Sequence, residues 1–160
     1  MNGIFELKPS LPKYSEIWDV NTVLDYLKSL GDPTTLLLKN LTLKTTILLC
    51  LLTGQRCQTI FSIDLRYIQA MENRFRITIQ QELKQSKAGR HLEPIELMAF
   101  HEDKRVCIVE HLKEYIQQTK EIRNQSNQLL ICYIKPHKPV SKDTIARWVK
   151  EVLNQSGIDT

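Results

Sequence analysis

The stretch LLCLLTGQRCQTIFSIDL, residues 48–65, decides how this chain folds. Its first half belongs to a segment, Thr42 to Gly54, that is apolar on nearly every side. A helix of that kind is a central, buried one. Gly54 follows Thr53 and can take the left-handed conformation that closes a helix. Two residues later Arg56 opens the next apolar turn. Arginine is rarely fully buried without a partner. An arginine at the end of a central helix therefore asks for an anion, unless its head simply reaches solvent along its apolar stem.

Upstream, DVNTVLDYLKSLG, residues 19–31, has the marks of a helix. Asp19 is a good N-cap, Val20, Val23, Leu24, Leu27 and Leu30 form one apolar stripe, and Gly31 can end it. DPTTLLLKN is a turn and connector, and Thr42 is the expected cap of the central helix. Residues 1–14, with KPSLPKY, read as an extended lead-in or linker.

Downstream, RCQTIFSI reads as a short helix. DLRYIQAM and RFRITIQQ alternate apolar and polar residues around a turn at Glu72-Asn73-Arg74, which predicts antiparallel strands. KQSKAGRH is a polar, basic loop, and EPIELMAF is expected as the third strand. Residues 104–122 are expected to be helical, with Val106, Val109, Leu112 and Ile116 on the buried face. NQLLICYI is a short buried segment, open between strand and irregular structure, and KPHKP a rigid basic loop. SKDTIARWVKEVLNQSG is a helix capped by Ser141, with Ile145, Trp148, Val149, Val152 and Leu153 as its stripe and Gly157 as its end. Helices, then a small three-stranded antiparallel sheet, then helices make an α+β fold rather than a βαβ array.

Composition narrows the function classes. At 160 residues, 42% apolar and 25% charged, the chain suits one domain with a real core. A net charge of +4 is compatible with a phosphate-bearing partner. The cysteines at 50, 57, 107 and 132 form no CxxC pair and read as reduced thiols of an intracellular protein. They and the histidines at 91, 101, 111 and 137 lack metal-ligand spacing, so neither a metal nor another cofactor is expected. MNGIFELKPS has no apolar signal region. The longest apolar run, Ile47 to Leu52, is too short to cross a bilayer.

Three basic features carry the chemistry: Arg56; the loop with Lys84, Lys87 and Arg90; and the cluster Lys135, His137, Lys138 and Lys142. Singly, each has an ordinary reading as a solvated turn or edge-strand protection. In this order they resemble the catalytic domain of the tyrosine recombinase (phage integrase) family. LLTGQRCQTI resembles its first arginine box, and FRITIQQELKQSKAGRHLEPIEL its hairpin with the catalytic lysine. SKDTIARWVKEVLNQSGID is similar to the helix before its His-x-x-Arg box. The wording is nearest to recombinase-like domains of eukaryotic mobile elements and covers residues 12–160.

The resemblance implies double-stranded DNA as partner, no metal, a nuclear setting and a tetramer on DNA for a full-length parent. It makes Arg56 the first catalytic arginine and Lys87, with Lys84 second, the hairpin lysine. A guanidinium fork can grip two phosphate oxygens. A lysine can protonate the departing 5′ oxygen as a tyrosine hydroxyl attacks phosphorus. Arg90, Lys135, His137, Lys138 and Lys142, with Lys84, are the expected DNA contacts.

The departures are specific. Thr59 stands where the family often has an acidic residue, no His-x-x-Arg occurs, and Tyr14, Tyr26, Tyr67, Tyr115 and Tyr133 do not match the nucleophile's helix. The expectation is therefore a partial catalytic domain over residues 15–160 that does not cleave DNA alone. The alternatives are a non-catalytic DNA-binding module derived from a mobile element, and a helical protein-interaction module marked by an exposed apolar patch.

Overall fold

The computed structural model describes residues 19–54, 57–79 and 94–158. Five α-helices and three strands succeed one another there: α1 Val20–Leu30, α2 Leu38–Thr53, α3 Cys57–Phe61, β1 Ile68–Ala70, β2 Arg74–Ile77, β3 Ile95–Met98, α4 Ile108–Thr119 and α5 Lys142–Gln155. The sheet is antiparallel in the order β1-β2-β3. The α+β architecture read from the sequence is the one observed.

Helix α2 is the axle. Every residue from Leu41 to Leu51 is buried, and α4 and α5 pack along it. That is the physical meaning of an apolar pattern with no polar face. The other helices bury single stripes. Val23, Leu24 and Leu27 of α1, and Ile145, Trp148, Val149, Val152 and Leu153 of α5, are buried as their spacing requires. Phe75, Ile77, Ile95 and Leu97 turn one face of the sheet into the same core. The caps at Asp19 and Ser141 are both made, their side chains accepting from Asn21 N and Thr144 N.

Several boundaries differ from the sequence reading, among them the helix expected over 104–122: Lys104–Val106 is a 3-10 turn, Cys107 is extended, and α4 runs only from Ile108 to Thr119. Helix α2 begins at Leu38, not after Thr42. Thr42 lies inside it, and its hydroxyl donates to the Leu38 carbonyl at 2.7 Å. A threonine can bond back into its own helix instead of capping one, and burial of Leu41 carries the helix earlier. The first strand begins at Ile68 rather than Asp64. Asp64 accepts from the Arg66 N–H at 2.8 Å and starts a 3-10 turn over Leu65–Tyr67. The chain from 127 to 140 forms no strand. It makes two isolated bridges, Asp64↔Gln128 and Ile131↔Pro139.

The buried charge Lys44 was not singled out by pattern. It is fully enclosed in α2, and its ammonium donates to the carbonyls of Gly31 at 2.8 Å and Arg105 at 2.6 Å. Gly31 closes α1, and Arg105 lies in the 3-10 turn Lys104–Val106. One cation thus ties the ends of two segments to the central helix. Desolvation lowers its pKa to about 8, against the pull of Asp32 and Asp103.

Candidate nucleic-acid interface

The central helix ends as its sequence dictates. Gly54 adopts φ 67° and ψ 17°, and its N–H donates to the Cys50 carbonyl at 3.1 Å. Helix α3 opens at Cys57, so only two residues separate it from Gly54. Arg56, one of those two, lies outside the described residues, as do Lys84, Lys87 and Arg90. Their frame is described.

The frame gathers three segments around the stretch from α3 to β1. First, α3 follows the Gly54 turn directly and packs against α5. Second, the β2–β3 register pairs Ile77 with Ile95 and the β1–β2 register pairs Ile77 with Ile68. The chain therefore leaves β2 and re-enters β3 at the end of the sheet where β1 begins, with Ile68 and Ile95 on opposite sides of Ile77. Thr78 N donates to Tyr67 O there at 3.0 Å. The basic stretch 84–91 belongs to the connection between these two strand ends. Third, Gln128 bridges Asp64 and its amide donates to the Val140 carbonyl at 2.8 Å. That bond tethers the start of α5, with Ser141 and Lys142, to the residue after Ile63.

The basic loop at 132–140 is built tightly. Cys132 N donates to Lys138 O at 2.7 Å, and His137 N donates to Ile134 O at 2.9 Å. Asn124 Nδ2 donates to Pro136 O at 3.0 Å. The His137 ring nitrogen Nδ1 lies 2.9 Å from the Cys132 carbonyl. That oxygen can only accept, so Nδ1 carries the proton. The contact holds His137 at φ 61°, a left-handed value that a non-glycine residue takes only when its surroundings fix it. Lys135, Lys138 and Lys142 are exposed and His137 is half-buried. The tip is not close to the Gly54 turn: Tyr133 stacks on Trp148 and lies under the Lys39 ammonium. Lys39 is in the first turn of α2, a helix about 24 Å long. Within the cluster, then, Lys142 is the member tied to the α3–β1 side, and Lys135 and Lys138 extend the basic surface toward the start of α2.

The local field is uneven. Arg66 pairs with Asp64 at 2.7 Å, Arg76 with Glu96 at 2.7 Å and Arg105 with Asp103 at 2.8 Å. Hydrogen bonding from Arg66 holds the Asp64 carboxyl below its ordinary range. From residue 122 to residue 142, by contrast, the sequence contains no carboxylate at all. That run supplies basic side chains and no acidic ones; the carboxylate beside it, Glu151, lies 3.8 Å from the Lys39 ammonium over Tyr133.

Among the described tyrosines, Tyr115 is buried and its oxygen accepts from Ile131 N at 3.0 Å. Desolvation raises its pKa to about 12, so it stays a protonated structural phenol. The Tyr26 hydroxyl donates to Gln155 Oε1, and Tyr67 sits in the 3-10 turn before β1 rather than in a strand. Among the described residues no group of three His, Cys, Asp or Glu side chains is placed to hold a metal ion. No helix there is long and apolar enough to cross a membrane. The described cysteines are free thiols, with Cys50 and Cys107 buried.

Two residues that organise this surface were missed by pattern. Arg123 is buried, and it donates to the carbonyls of Gln128 at 2.7 Å and Leu129 at 2.9 Å and to the Thr119 hydroxyl at 2.8 Å. Ile134 stands 63% exposed beside Lys135. The available signal was an isoleucine set directly against KPHKP.

No protein-family model matches the chain, and no curated protein matches it either. Among solved structures it is similar to the XerH site-specific recombinase in a pre-cleavage complex with its difH substrate, with a TM-score of 0.63 at 15% identity. The match covers 88% of this chain and 36% of that one. The likeness establishes the fold: these helices and this antiparallel sheet are arranged as in part of a site-specific recombinase.

Proposed function

We propose that this chain is the DNA-engaging part of a tyrosine recombinase-type catalytic domain of mobile-element origin. It would work on duplex DNA within a longer polypeptide, in the nucleus. The observation that carries the reading is the frame around the α3–β1 stretch, to whose successive parts the Gly54 turn, the end of β2 and the start of α5 are each tied. The first two bear, in the sequence, the cations that the family resemblance assigns to phosphate, Arg56 and Lys87 or Lys84, and the third bears Lys142 of the basic cluster.

In this reading Arg56 forks onto two non-bridging oxygens and opposes the charge that grows as phosphorus becomes pentavalent. Lys87, or failing it Lys84, gives its proton to the 5′ oxygen as the bond from phosphorus to that oxygen breaks. A tyrosine oxygen supplies the new bond to phosphorus, and no tyrosine of this chain matches that role. Lys135, Lys138 and Lys142, with Arg90 and His137, hold the flanking backbone. Four protomers on two duplexes would complete the assembly.

The carboxylate-free run 122–142 also favours a second reading, a non-catalytic DNA-binding module in which the same lysines grip phosphates and Arg56 is residual. Both readings predict duplex binding that weakens steeply with salt. Replacing Lys135, Lys138 and Lys142 by alanine is expected to lower the salt slope by about one for each phosphate no longer gripped. A slope unchanged in the triple variant would remove these residues from the interface. A suicide duplex, nicked so that the 5′ product escapes, then tests the chemistry. Alone the chain should bind it without forming a covalent adduct, and an adduct would place the nucleophile among the five tyrosines present. Arg56→Ala separates the two readings in a full-length parent. Cleavage abolished with binding retained marks an active-site arginine, and unchanged behaviour marks a residual one.

A further inference from the structure

We propose that Ile134 is an apolar wedge that enters a base step of the bound duplex and bends it. The inference rests on the DNA reading above and adds a mode of engagement to it.

Ile134 is a side chain in an unusual place. Tight turns favour Gly, Pro, Asn, Asp and Ser. This one opens on a β-branched isoleucine, whose carbonyl accepts from His137 N at 2.9 Å while its side chain stands 63% exposed. Its neighbours Leu129, Leu130 and Ile131 are all buried, so the segment has access to the core and Ile134 does not use it. Lys135 and Lys138 flank it, and no carboxylate occurs between Glu121 and Asp143. An exposed apolar tip between lysines, in a segment without carboxylates and with the nearby Glu151 paired to Lys39, is complementary to a duplex. The lysines meet the phosphates, and the apolar group goes between bases.

The turn is also stiff enough for the task. A wedge must hold its shape against stacked base pairs, and a turn already in its final form loses little freedom on binding. Four ties fix this one: Cys132 N to Lys138 O, His137 N to Ile134 O, the His137 ring to the Cys132 carbonyl, and Asn124 Nδ2 to Pro136 O. Pro136 and Pro139 remove two more backbone freedoms. An anionic lipid surface fits less well, because interfacial binding draws on the wide apolar face of an amphipathic helix. Here a single side chain is offered on a short turn.

The test uses the full chain and mixed-sequence duplexes of about 30 base pairs rich in flexible TA steps. The duplexes carry 2-aminopurine beside those steps and a fluorophore pair at the two ends. Wild type is expected to raise 2-aminopurine fluorescence and shorten the end-to-end distance, as a kink of roughly 20–90° does. Ile134→Ala should keep salt-sensitive binding and lose more than about half of both signals. Ile134→Leu should retain them. Met98→Ala, which removes another exposed apolar side chain, on β3, should change neither. Binding without bending by wild type, or equal bending by Ile134→Ala, overturns the wedge and leaves the DNA reading standing. Absence of salt-sensitive duplex binding by wild type removes that reading and the wedge with it. Ile134-dependent binding to phosphatidylserine vesicles without duplex binding would assign the tip to lipid and equally overturn the proposal.

Discussion

Arg123→Ala is expected to destabilise the protein by about 3–5 kcal/mol, read as a lowered urea midpoint at unchanged slope. The guanidinium is buried and serves three acceptors at once, the carbonyls of Gln128 and Leu129 and the hydroxyl of Thr119. It also lies over the Tyr115 ring, 5.8 Å from its centre. Alanine leaves these acceptors in a space that water does not fill well, and an unmet buried acceptor costs more than a made bond returns. Lysine at 123 should restore little, because an ammonium on a flexible stem does not reproduce the planar fork. The effect should reach the proposed DNA surface as well. Gln128 anchors the start of α5 through the Val140 carbonyl, so duplex affinity should fall in the variant even where it remains folded. A midpoint shift below about 1 kcal/mol would show that the 127–131 segment holds itself.

The second large effect is acid sensitivity centred on His111. This histidine is buried in α4, with Nδ1 2.7 Å from the Cys107 carbonyl. Nδ1 therefore carries the proton, and Nε2 has no hydrogen-bond partner among the described residues. Charging the ring would place a second buried cation near Lys44. Desolvation, with that repulsion, lowers the pKa from 6.5 to about 4. Between those values the unfolded chain binds a proton that the folded chain refuses, so stability falls as pH drops. The loss on this one group is on the order of 3 kcal/mol, complete once pH is below 4. His111→Gln keeps a donor for Cys107 and does not titrate. The difference between the two stability profiles should open at pH 6.5 and widen to pH 4. Parallel profiles would mean that the imidazole charges freely in the folded state. Lys44 acts at the other end of the scale. Its folded pKa, about 8, lies below the ordinary 10.5. The unfolded chain is again the better proton binder, and stability rises from pH 8 toward 10.5.

The elements of this fold were legible where a local pattern decides them. The stripes of α1 and α5 and the all-round apolar run of α2 are properties of spacing, and packing confirmed them. The early start of α2 was not legible, because Leu37 caps it without a side-chain bond and Thr42 imitates a cap from inside. Lys44, His111 and Arg123 were invisible for a common reason. Their burial is set by other segments packing over them, even where a hydrogen-bond partner such as Cys107 for His111 is local, and only the packed molecule brings Gly31 and Arg105 to one ammonium. At the site, the closing Gly54 turn, the paired strands and the Ser141 cap followed from sequence. The bridge from Asp64 to Gln128, which draws the start of α5 toward β1, did not, since it joins two irregular stretches.

The central claim is that duplex DNA lies across the basic loop, the start of α5 and the connection between β2 and β3. Cross-linking the chain to duplex DNA and locating the attached lysines by mass spectrometry tests it directly. Adducts are expected on Lys135, Lys138 and Lys142 together with Lys84 or Lys87. Adducts confined to Lys28, Lys104 and Lys113, or none at any salt concentration, would contradict it.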